Sequence, residues 1–260
     1  MPSSGVRVGL FVTCLVDLIR PQVGFAAVRL LEDAGCEVVV PRHQTCCGQP
    51  AYNAGDRVNA SALARQVLEA FEDVDYIVTP SGSCAATLRL HAPELLADSP
   101  ELAGRVKAFS EKVFELTTFL SEIIGVDRLL SAAKKNSERT IVYHDSCAGL
   151  RELGIRKAPR ELLSRLSGVQ PQELAERDVC CGFGGTFCVK FPEISERLAA
   201  DKCLAAEKVG ADELVGGDLG CLLHLAGILQ RSGSCLRVRH VAEILADLDE
   251  GPAIGELAED

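Results

Sequence analysis

Residues 6–14 read VRVGLFVTC and residues 140–147 read TIVYHDSC, so in both stretches an apolar run ends just before a cysteine. Short apolar runs bounded by polar residues are typical of buried strands. Each run is followed by a longer segment with helical periodicity, near residues 22–34 in the first case and near residues 158–167 in the second. This alternation of strand and helix predicts βαβ units around a parallel sheet, which defines an α/β fold.

Strands and helices alternate in the same way through the rest of the chain. Further strands are predicted at residues 37–41, 75–79 and 213–215, and further helices at residues 57–72, 101–124, 194–209 and 222–230. Residues 133–139 form the most polar stretch of the interior, and the pattern restarts after them. We therefore predict a first domain at residues 1–135, a second domain at residues 136–250 and a short acidic tail at residues 251–260.

The restart is an internal repeat, because three cysteine landmarks recur at nearly constant separation. Cys14 matches Cys147 at an offset of 133, the pair Cys46 and Cys47 matches Cys180 and Cys181 at 134, and Cys84 matches Cys221 at 137. Self-similarity of this kind indicates a duplicated structural unit. We predict two pseudo-symmetric halves, each a small, mostly parallel sheet flanked by helices.

Composition and charge exclude several classes of function. The 260 residues include 27 basic and 37 acidic side chains, and the net charge of −10 opposes binding to nucleic acid or to anionic lipid. The apolar runs are shorter than the roughly 20 residues that span a bilayer. Arg7 interrupts the first run and Thr13 precedes Cys14, which argues against an export or lipoprotein signal. We expect a cytoplasmic protein without a membrane span.

Twelve cysteines are unusual for a protein of the reducing cytoplasm, where structural disulfides are rare. Cys36, Cys203 and Cys235 stand singly in apolar or helical surroundings and are interpreted as small core residues. The other cysteines follow predicted strands, and the loops at the carboxyl ends of parallel strands converge on one crevice. We therefore predict two sets of metal ligands: Cys14, Cys46, Cys47 and Cys84 in the first half, and Cys147, Cys180, Cys181 and Cys221 in the second.

Four thiolates suit a [4Fe–4S] or [2Fe–2S] cluster, and they also suit zinc or copper(I). Structural zinc sites usually take cysteines in pairs two to four residues apart, whereas both halves here use directly adjacent cysteines. Adjacent thiolates diverge and are more easily accommodated by a cluster of several iron atoms. The spacing favours iron–sulfur clusters, [4Fe–4S] and one per half, with zinc and uncoordinated thiols as the alternatives.

The patterns Cys-x31-Cys-Cys-x36-Cys and Cys-x32-Cys-Cys-x39-Cys resemble the cysteine-rich CCG domain, which usually occurs twice per chain. The cysteine-rich subunit of heterodisulfide reductase, the iron–sulfur subunit of glycolate oxidase and lactate utilization protein A share this domain. The chain resembles the last family most closely, over about residues 6–245. The segments that carry the resemblance are CCGFGGTFCVKFPEIS at residues 180–195, PSGSC at 80–84 and DLGC at 218–221.

The resemblance implies an iron–sulfur electron-transfer component of an L-lactate oxidation system. Such a chain would be a subunit of an oxidoreductase complex of the L-lactate dehydrogenase type, although no catalytic residue is assigned. The implied partners are a ferredoxin-like iron–sulfur protein and a third small protein. The sequence shows no flavin or nicotinamide motif, so the carbon chemistry is expected to lie outside this chain.

Two features depart from the fuller CCG pattern. That pattern ends in Cys-x-x-Cys, whereas Ser81 and Asp218 stand at the first of these positions. The missing thiolates weigh against the alternative of a thiol–disulfide reductase subunit, and a zinc-stabilised scaffold is the other alternative. Cys188 stands where the lactate family motif has serine, and it is interpreted either as an extra ligand or as a neutral replacement.

Glycines and histidines near the cysteines complete the candidate site. Gly182, Gly184 and Gly185 are predicted to turn backbone N–H groups toward cluster sulfurs, with a purely structural turn as the alternative. His43 and His144 each precede a cysteine by three residues and are interpreted as strand-end residues behind the ligands. The remaining histidines are interpreted as helix or surface residues: His91, His224 and His240.

Overall fold

A computed structural model of the chain describes residues 5–129 and 139–256. It contains two parallel sheets of four strands each, with the orders β2-β1-β3-β4 and β6-β5-β7-β8. The strands are β1 Val6–Leu10, β2 Cys36–Val39, β3 Tyr76–Thr79, β4 Val113–Glu115, β5 Ile141–His144, β6 Gln172–Glu173, β7 Glu213–Gly216 and β8 Arg237–His240. The identical strand order confirms the predicted α/β fold of two similar halves.

Helices flank both sheets. In the first half they are α1 Cys14–Ile19, α2 Pro21–Asp33, α3 Gln49–Asn53, α4 Arg57–Ala70, α5 Gly82–Ala86, α6 Ala92–Leu95, α7 Ala103–Lys112, α8 Leu116–Thr118 and α9 Val126–Leu129. In the second half they are α10 Cys147–Glu152, α11 Lys157–Leu166, α12 Phe187–Lys190, α13 Pro192–Val209, α14 Leu219–Ser232 and α15 Val241–Ala246. Two π-helical segments, Thr87–His91 and Phe119–Gly125, and a 3-10 turn, Pro100–Leu102, also lie in the described part of the first half.

The predicted long helix over residues 101–124 is wrong in its middle. Val113 to Glu115 form the edge strand β4. This strand pairs in parallel with β3, and Ile77 lies opposite Val113. Val113 is fully buried, so pairing and burial outweigh the helical periodicity of its neighbours. The strand β8 occupies the same position in the second sheet and was not predicted, because its sequence RVRH alternates charged residues with a single valine.

The two halves share one hydrophobic core. A continuous cluster of buried side chains contains Val8 and Leu10 from the first sheet and Leu214 from the second, together with leucines of α11 and α14. Helix α15 of the second half packs against α2 of the first. The predicted boundary between residues 135 and 136 lies outside the described residues, as do residues 257–260 of the predicted tail.

A buried ion pair and a buried histidine link the halves. Arg20 precedes α2, and its Nη2 lies 2.7 Å from Oε1 of Glu243 in α15. The side chain of Glu243 is fully buried. His240 Nε2 lies 3.2 Å from the carbonyl oxygen of Pro80. His240 is itself fully buried, so its interpretation as a helix or surface residue was wrong. Within the described part of the chain, no helix has the length and apolar character needed to cross a membrane.

Candidate metal centres

The cysteines of both sets lie at the carboxyl ends of the strands. Cys14 is the first residue of α1 after β1, and Cys147 is the first residue of α10 after β5. Cys84 lies in α5 after β3, and Cys221 lies in α14 after β7. Parallel strands present these loop and helix starts along one edge of each sheet, which is why residues far apart in sequence meet.

The structure brings each set of four sulfurs together in the same order. In the first half, hydrogen bonds between thiols connect Cys14 to Cys46, Cys46 to Cys47, and Cys47 to Cys84. We name this set the first thiol cluster. In the second half the same contacts connect Cys147 to Cys180, Cys180 to Cys181, and Cys181 to Cys221, and this set is the second thiol cluster. All twelve cysteines are free thiols.

One cysteine of each thiol cluster is held as a thiolate. Hydrogen bonds donated by Cys14 and Cys47, and by the N–H of Gly48, lower the pKa of Cys46 to about 3. In the second half, the corresponding bonds lower the pKa of Cys180 to about 2. A nucleophilic or metal-binding sulfur must be deprotonated, so both halves present a ligand in its binding form at neutral pH.

Two further thiols in each half resist ionisation in the metal-free protein. The pKa values of Cys14 and Cys147 are raised by their hydrogen bonds to the neighbouring thiolates, by burial and by the negative charges nearby. Contacts with neighbouring sulfurs and burial likewise raise the pKa values of Cys47 and Cys181. Four closely packed sulfurs cannot all carry charge unless a cation joins them, and a metal centre is the group that provides one.

The glycine after each cysteine pair aims its backbone at a sulfur. The N–H of Gly48 lies 3.4 Å from Cys46 Sγ, and the N–H of Gly182 lies 3.3 Å from Cys180 Sγ. Gly48 has a φ of 90° and Gly182 a φ of 88°, a region that favours glycine. A Cβ atom on Gly182 would also lie 2.4 Å from the carbonyl oxygen of Ser195. Gly182 therefore directs its backbone N–H at a cysteine sulfur.

The other two predicted glycines shape the loop. The carbonyl of Gly184 accepts a hydrogen bond from the N–H of Phe187 at 3.2 Å. Gly185 lies against Pro50 of the first half and lines a cavity beside the first thiol cluster. Cys188 donates to the carbonyl of Gly185 at 3.3 Å, a bond that a serine hydroxyl also makes.

This cavity, of about 190 Å³, is lined by both halves of the chain. The first half contributes its four cysteines, and the second contributes Phe183, Gly185, Val189 and Asp218 among others. Four soft sulfur donors inside a largely apolar wall fit a thiolate-bound metal or iron–sulfur cluster. The donors that would hold it are those of the first thiol cluster.

Ser81 and Asp218, which stand where a fuller CCG pattern has cysteines, meet between the halves. The Ser81 hydroxyl donates to Asp218 Oδ2 at 3.0 Å, and the N–H of Ser83 donates to the same oxygen at 2.9 Å. Ser81 also accepts the N–H of Cys84 at 3.2 Å and so caps α5. Both side chains are buried. Ser81 and Asp218 therefore form one hydrogen-bonded link between the cysteine-bearing helices α5 and α14.

His144 joins the second thiol cluster, which sequence reasoning missed. One ring nitrogen of His144 and the sulfurs of Cys181 and Cys221 all lie within 4.8 Å of one another. Burial, with the nearby charge of Lys202, lowers the pKa of His144 to about 3, so its ring is neutral. A neutral imidazole is the form that binds metals. Its position three residues before Cys147, at the end of a strand, was the signal available in the sequence.

The isolated cysteines divide into two groups. Cys36 and Cys203 are buried in the shared core, as predicted, and burial raises the pKa of Cys203 to about 12. Cys235 is exposed, so its interpretation as a core residue was wrong. It follows the glycine that ends α14, where the chain returns to the surface before β8.

Two parallel four-stranded halves, each gathering four thiols at the carboxyl ends of its strands, define a duplicated cysteine-rich α/β protein. The CCG family, described as a cysteine-rich domain, matches residues 8–89 and again residues 141–226. The chain is 44% identical over 240 residues to lactate utilization protein A of Bacillus subtilis (strain 168), covering 92% of this chain and 99% of that protein. It therefore belongs to the lactate utilization protein A family of CCG-domain proteins.

Further comparisons agree with this assignment. Lactate utilization protein A of Geobacillus kaustophilus (strain HTA426) is 45% identical over 240 residues, covering 92% of this chain and 98% of that protein. A crystal structure of a hypothetical protein from Helicobacter pylori superposes with a TM-score of 0.67 at 14% identity. That comparison covers 98% of this chain and 51% of the other, so the chain spans about half of it, and the likeness concerns the fold alone.

Proposed function

We propose that the chain is an iron–sulfur electron-transfer component of a lactate utilization system, with one [4Fe–4S] cluster in each half. The observation that carries the proposal is the pair of thiol clusters, joined in the same order and each containing one stabilised thiolate. The names of the relatives supply the metabolic context. Bound clusters would accept and release single electrons, which is the chemistry that thiolate-ligated iron supplies.

The chain's own residues have separate parts in this function. The eight cysteines hold the clusters, and the N–H groups of Gly48 and Gly182 stabilise anionic sulfur. Phe183 and Val189 contribute apolar side chains to the wall of the first centre. Hydrogen bonds to sulfur and exclusion of water both help to set a reduction potential.

The partners are proposed from the same family context. A small hydroxy acid is oxidised by removal of a hydride, which usually requires a flavin or nicotinamide cofactor. We place that step on the other components of the system, a ferredoxin-like iron–sulfur protein and a third small protein. The chain then works in the cytoplasm as an electron relay that receives the electrons released by this oxidation.

Metal analysis of protein prepared without oxygen tests the proposal. We expect a brown protein that contains iron and acid-labile sulfide and that bleaches in air or with a chelator. The Cys203→Ser variant is a matched control, because the buried thiol of Cys203 donates to the carbonyl oxygen of Leu225 and is not one of the proposed ligands, so the iron content should stay unchanged. Colourless protein with stoichiometric zinc would contradict the proposal.

A zinc-stabilised scaffold is the second candidate, and one observation favours it. The donor atoms of His144, Cys181 and Cys221 lie close enough together to share a single metal ion. Mixed nitrogen and sulfur ligands are common at structural zinc sites. The same metal analysis separates the two candidates, since zinc without sulfide identifies the scaffold and iron with sulfide identifies the electron-transfer protein.

A further inference from the structure

The surroundings of the two thiol clusters differ at equivalent positions of the repeat. Phe11 precedes Cys14 by three residues, and His144 precedes Cys147 by three residues. Both side chains are buried. Phe11 packs in the hydrophobic cluster that includes Cys47 and Cys84, whereas His144 brings two polar ring atoms to the same place beside Cys181 and Cys221.

The imidazole of His144 has no partner in the described part of the chain. Its side chain is only 1% exposed, and neither Nδ1 nor Nε2 has a hydrogen bond there. A buried polar group without a partner destabilises the folded state, so its retention requires an explanation. A ligand bound at this position would provide the missing partner.

The neighbouring polar side chains are engaged elsewhere and do not supply that partner. The ammonium of Lys202 donates to the carbonyl oxygens of Glu176 at 2.7 Å and Arg177 at 3.2 Å. Asp218 Oδ2 accepts two hydrogen bonds from the first half. One ring nitrogen instead lies within 4.8 Å of the sulfurs of Cys181 and Cys221.

We propose that His144 is a nitrogen ligand of the second metal centre and binds metal beside Cys181 and Cys221. The three donor atoms lie within 4.8 Å of one another, the spacing of ligands that share one metal atom. The iron–sulfur form of this inference rests on the proposed function. The first centre has phenylalanine at the matching position, so it has sulfur ligands and no corresponding nitrogen.

This difference gives the two centres different reduction potentials. Histidine is a neutral ligand, and in [2Fe–2S] centres histidine ligation gives a higher reduction potential than ligation by thiolates alone. The positive charge of Lys202 acts on the second thiol cluster in the same direction. The second centre is therefore the one that is reduced first.

Pulsed electron paramagnetic resonance of the reduced, fully loaded protein tests the proposal. We compare the full-length wild type with His144→Phe, which copies the first half, and with His91→Phe as control. His91 is in the first half, where it stacks on Tyr52. We expect a strong histidine nitrogen coupling at one centre in the wild type and in His91→Phe. The coupling should vanish in His144→Phe, and the higher of the two potentials should fall.

A second variant distinguishes loss of the nitrogen ligand from loss of the whole metal centre. His144→Cys offers another metal donor, so it should keep the iron and sulfide content of the wild type while losing the nitrogen coupling. A fully loaded wild type without strong histidine coupling would overturn the proposal. So would a coupling that persists in His144→Phe.

The metal content separates this inference from the proposed function. If iron and sulfide are absent, the electron-transfer proposal fails, and titration of the metal-free protein with Co²⁺ then tests His144 by itself. Loss of a nitrogen ligand should change the cobalt absorption spectrum in His144→Phe and leave it unchanged in His91→Phe. An identical spectrum in wild type and His144→Phe would exclude His144 as a ligand.

Discussion

At the scale of single residues, position relative to the thiol clusters decides what a cysteine does. Cys181 contacts Cys180 and Cys221, whereas Cys203 lies in the shared core with its sulfur 3.7 Å from the carbonyl of Leu225. We expect Cys181→Ser to lose the second metal centre, because a serine oxygen binds soft metals less well than a thiolate. Visible absorbance per folded protein measures this loss.

The control for Cys181→Ser is Cys203→Ser. A serine in the core costs about 1–3 kcal/mol if its hydroxyl is left unsatisfied, so stability should fall while absorbance per folded protein is retained. Cys235→Ser provides a second control, and because Cys235 is exposed its effect on stability should stay within about 0.5 kcal/mol. Equal absorbance in all three variants would remove Cys181 from the ligands.

The lowered pKa values of Cys46 and Cys180 predict an unusual pH dependence in metal-free protein. A depressed pKa keeps a group ionised until the pH falls through that value, here about 3 for Cys46 and about 2 for Cys180. Alkylation of these two residues should therefore vary little between about pH 5 and pH 8, because the thiolate is the reactive form. Mass spectrometry of alkylated peptides measures the rates.

Urea-unfolded protein is the control for alkylation. Unfolded cysteines have ordinary pKa values, so their rates should fall roughly tenfold for each pH unit below about 8.5. Cys203 in the folded chain should stay unreactive, since burial raises its pKa to about 12. A tenfold loss per pH unit at Cys46 and Cys180 in the folded protein would contradict the hydrogen-bonded thiolates.

At the scale of elements, Ser81 makes one of the two hydrogen bonds to Asp218 that link α5 and α14. Ser81 caps α5 and donates to the buried carboxylate of Asp218. Ser81→Ala removes both bonds, and we expect a loss of about 1–3 kcal/mol in the free energy of unfolding. Urea unfolding measures it. Ser110→Ala, which removes a hydrogen bond near the end of α7, should cost within about 0.5 kcal/mol, and equal effects would contradict the link.

Elements with strong periodicity could be predicted, and elements specified by tertiary pairing could not. The helix predicted at residues 57–72 is observed at Arg57–Ala70, and the strand predicted at 75–79 at Tyr76–Thr79. Strand β8 was missed because Arg239 is charged, yet it is fully buried against Glu213 at 3.3 Å. Sequence periodicity does not reveal a charge that is buried by pairing with another strand.

Some features of the candidate site could likewise be predicted from the sequence, and others could not. The convergence of the cysteines could be predicted, because repeated landmarks at strand ends must meet at one sheet edge. The role of His144 could not, since a sequence does not show that both ring nitrogens lack hydrogen-bond partners among the described residues. The contact between Ser81 and Asp218 joins residues 137 positions apart and appears only when the halves pack together.

At the scale of the whole molecule, the buried pair of Arg20 and Glu243 should decide how firmly the halves hold together. Arg20→Ala leaves a fully buried carboxylate without its cation, and breaking such a pair costs about 3–5 kcal/mol. We expect that loss in urea unfolding. The exposed pair of Arg197 and Asp201 is the control, because Arg197→Ala should cost less than about 0.5 kcal/mol.

The shared core further requires that both halves unfold together. Because one cluster of buried side chains includes residues from both sheets, wild-type protein should show a single transition by circular dichroism and by calorimetry. Arg20→Ala should lower the midpoint of that one transition. Residues 1–135 or 136–260 expressed alone would expose the core and should aggregate. Two separate transitions, or a half that folds in isolation, would show that the core is divided between independent domains.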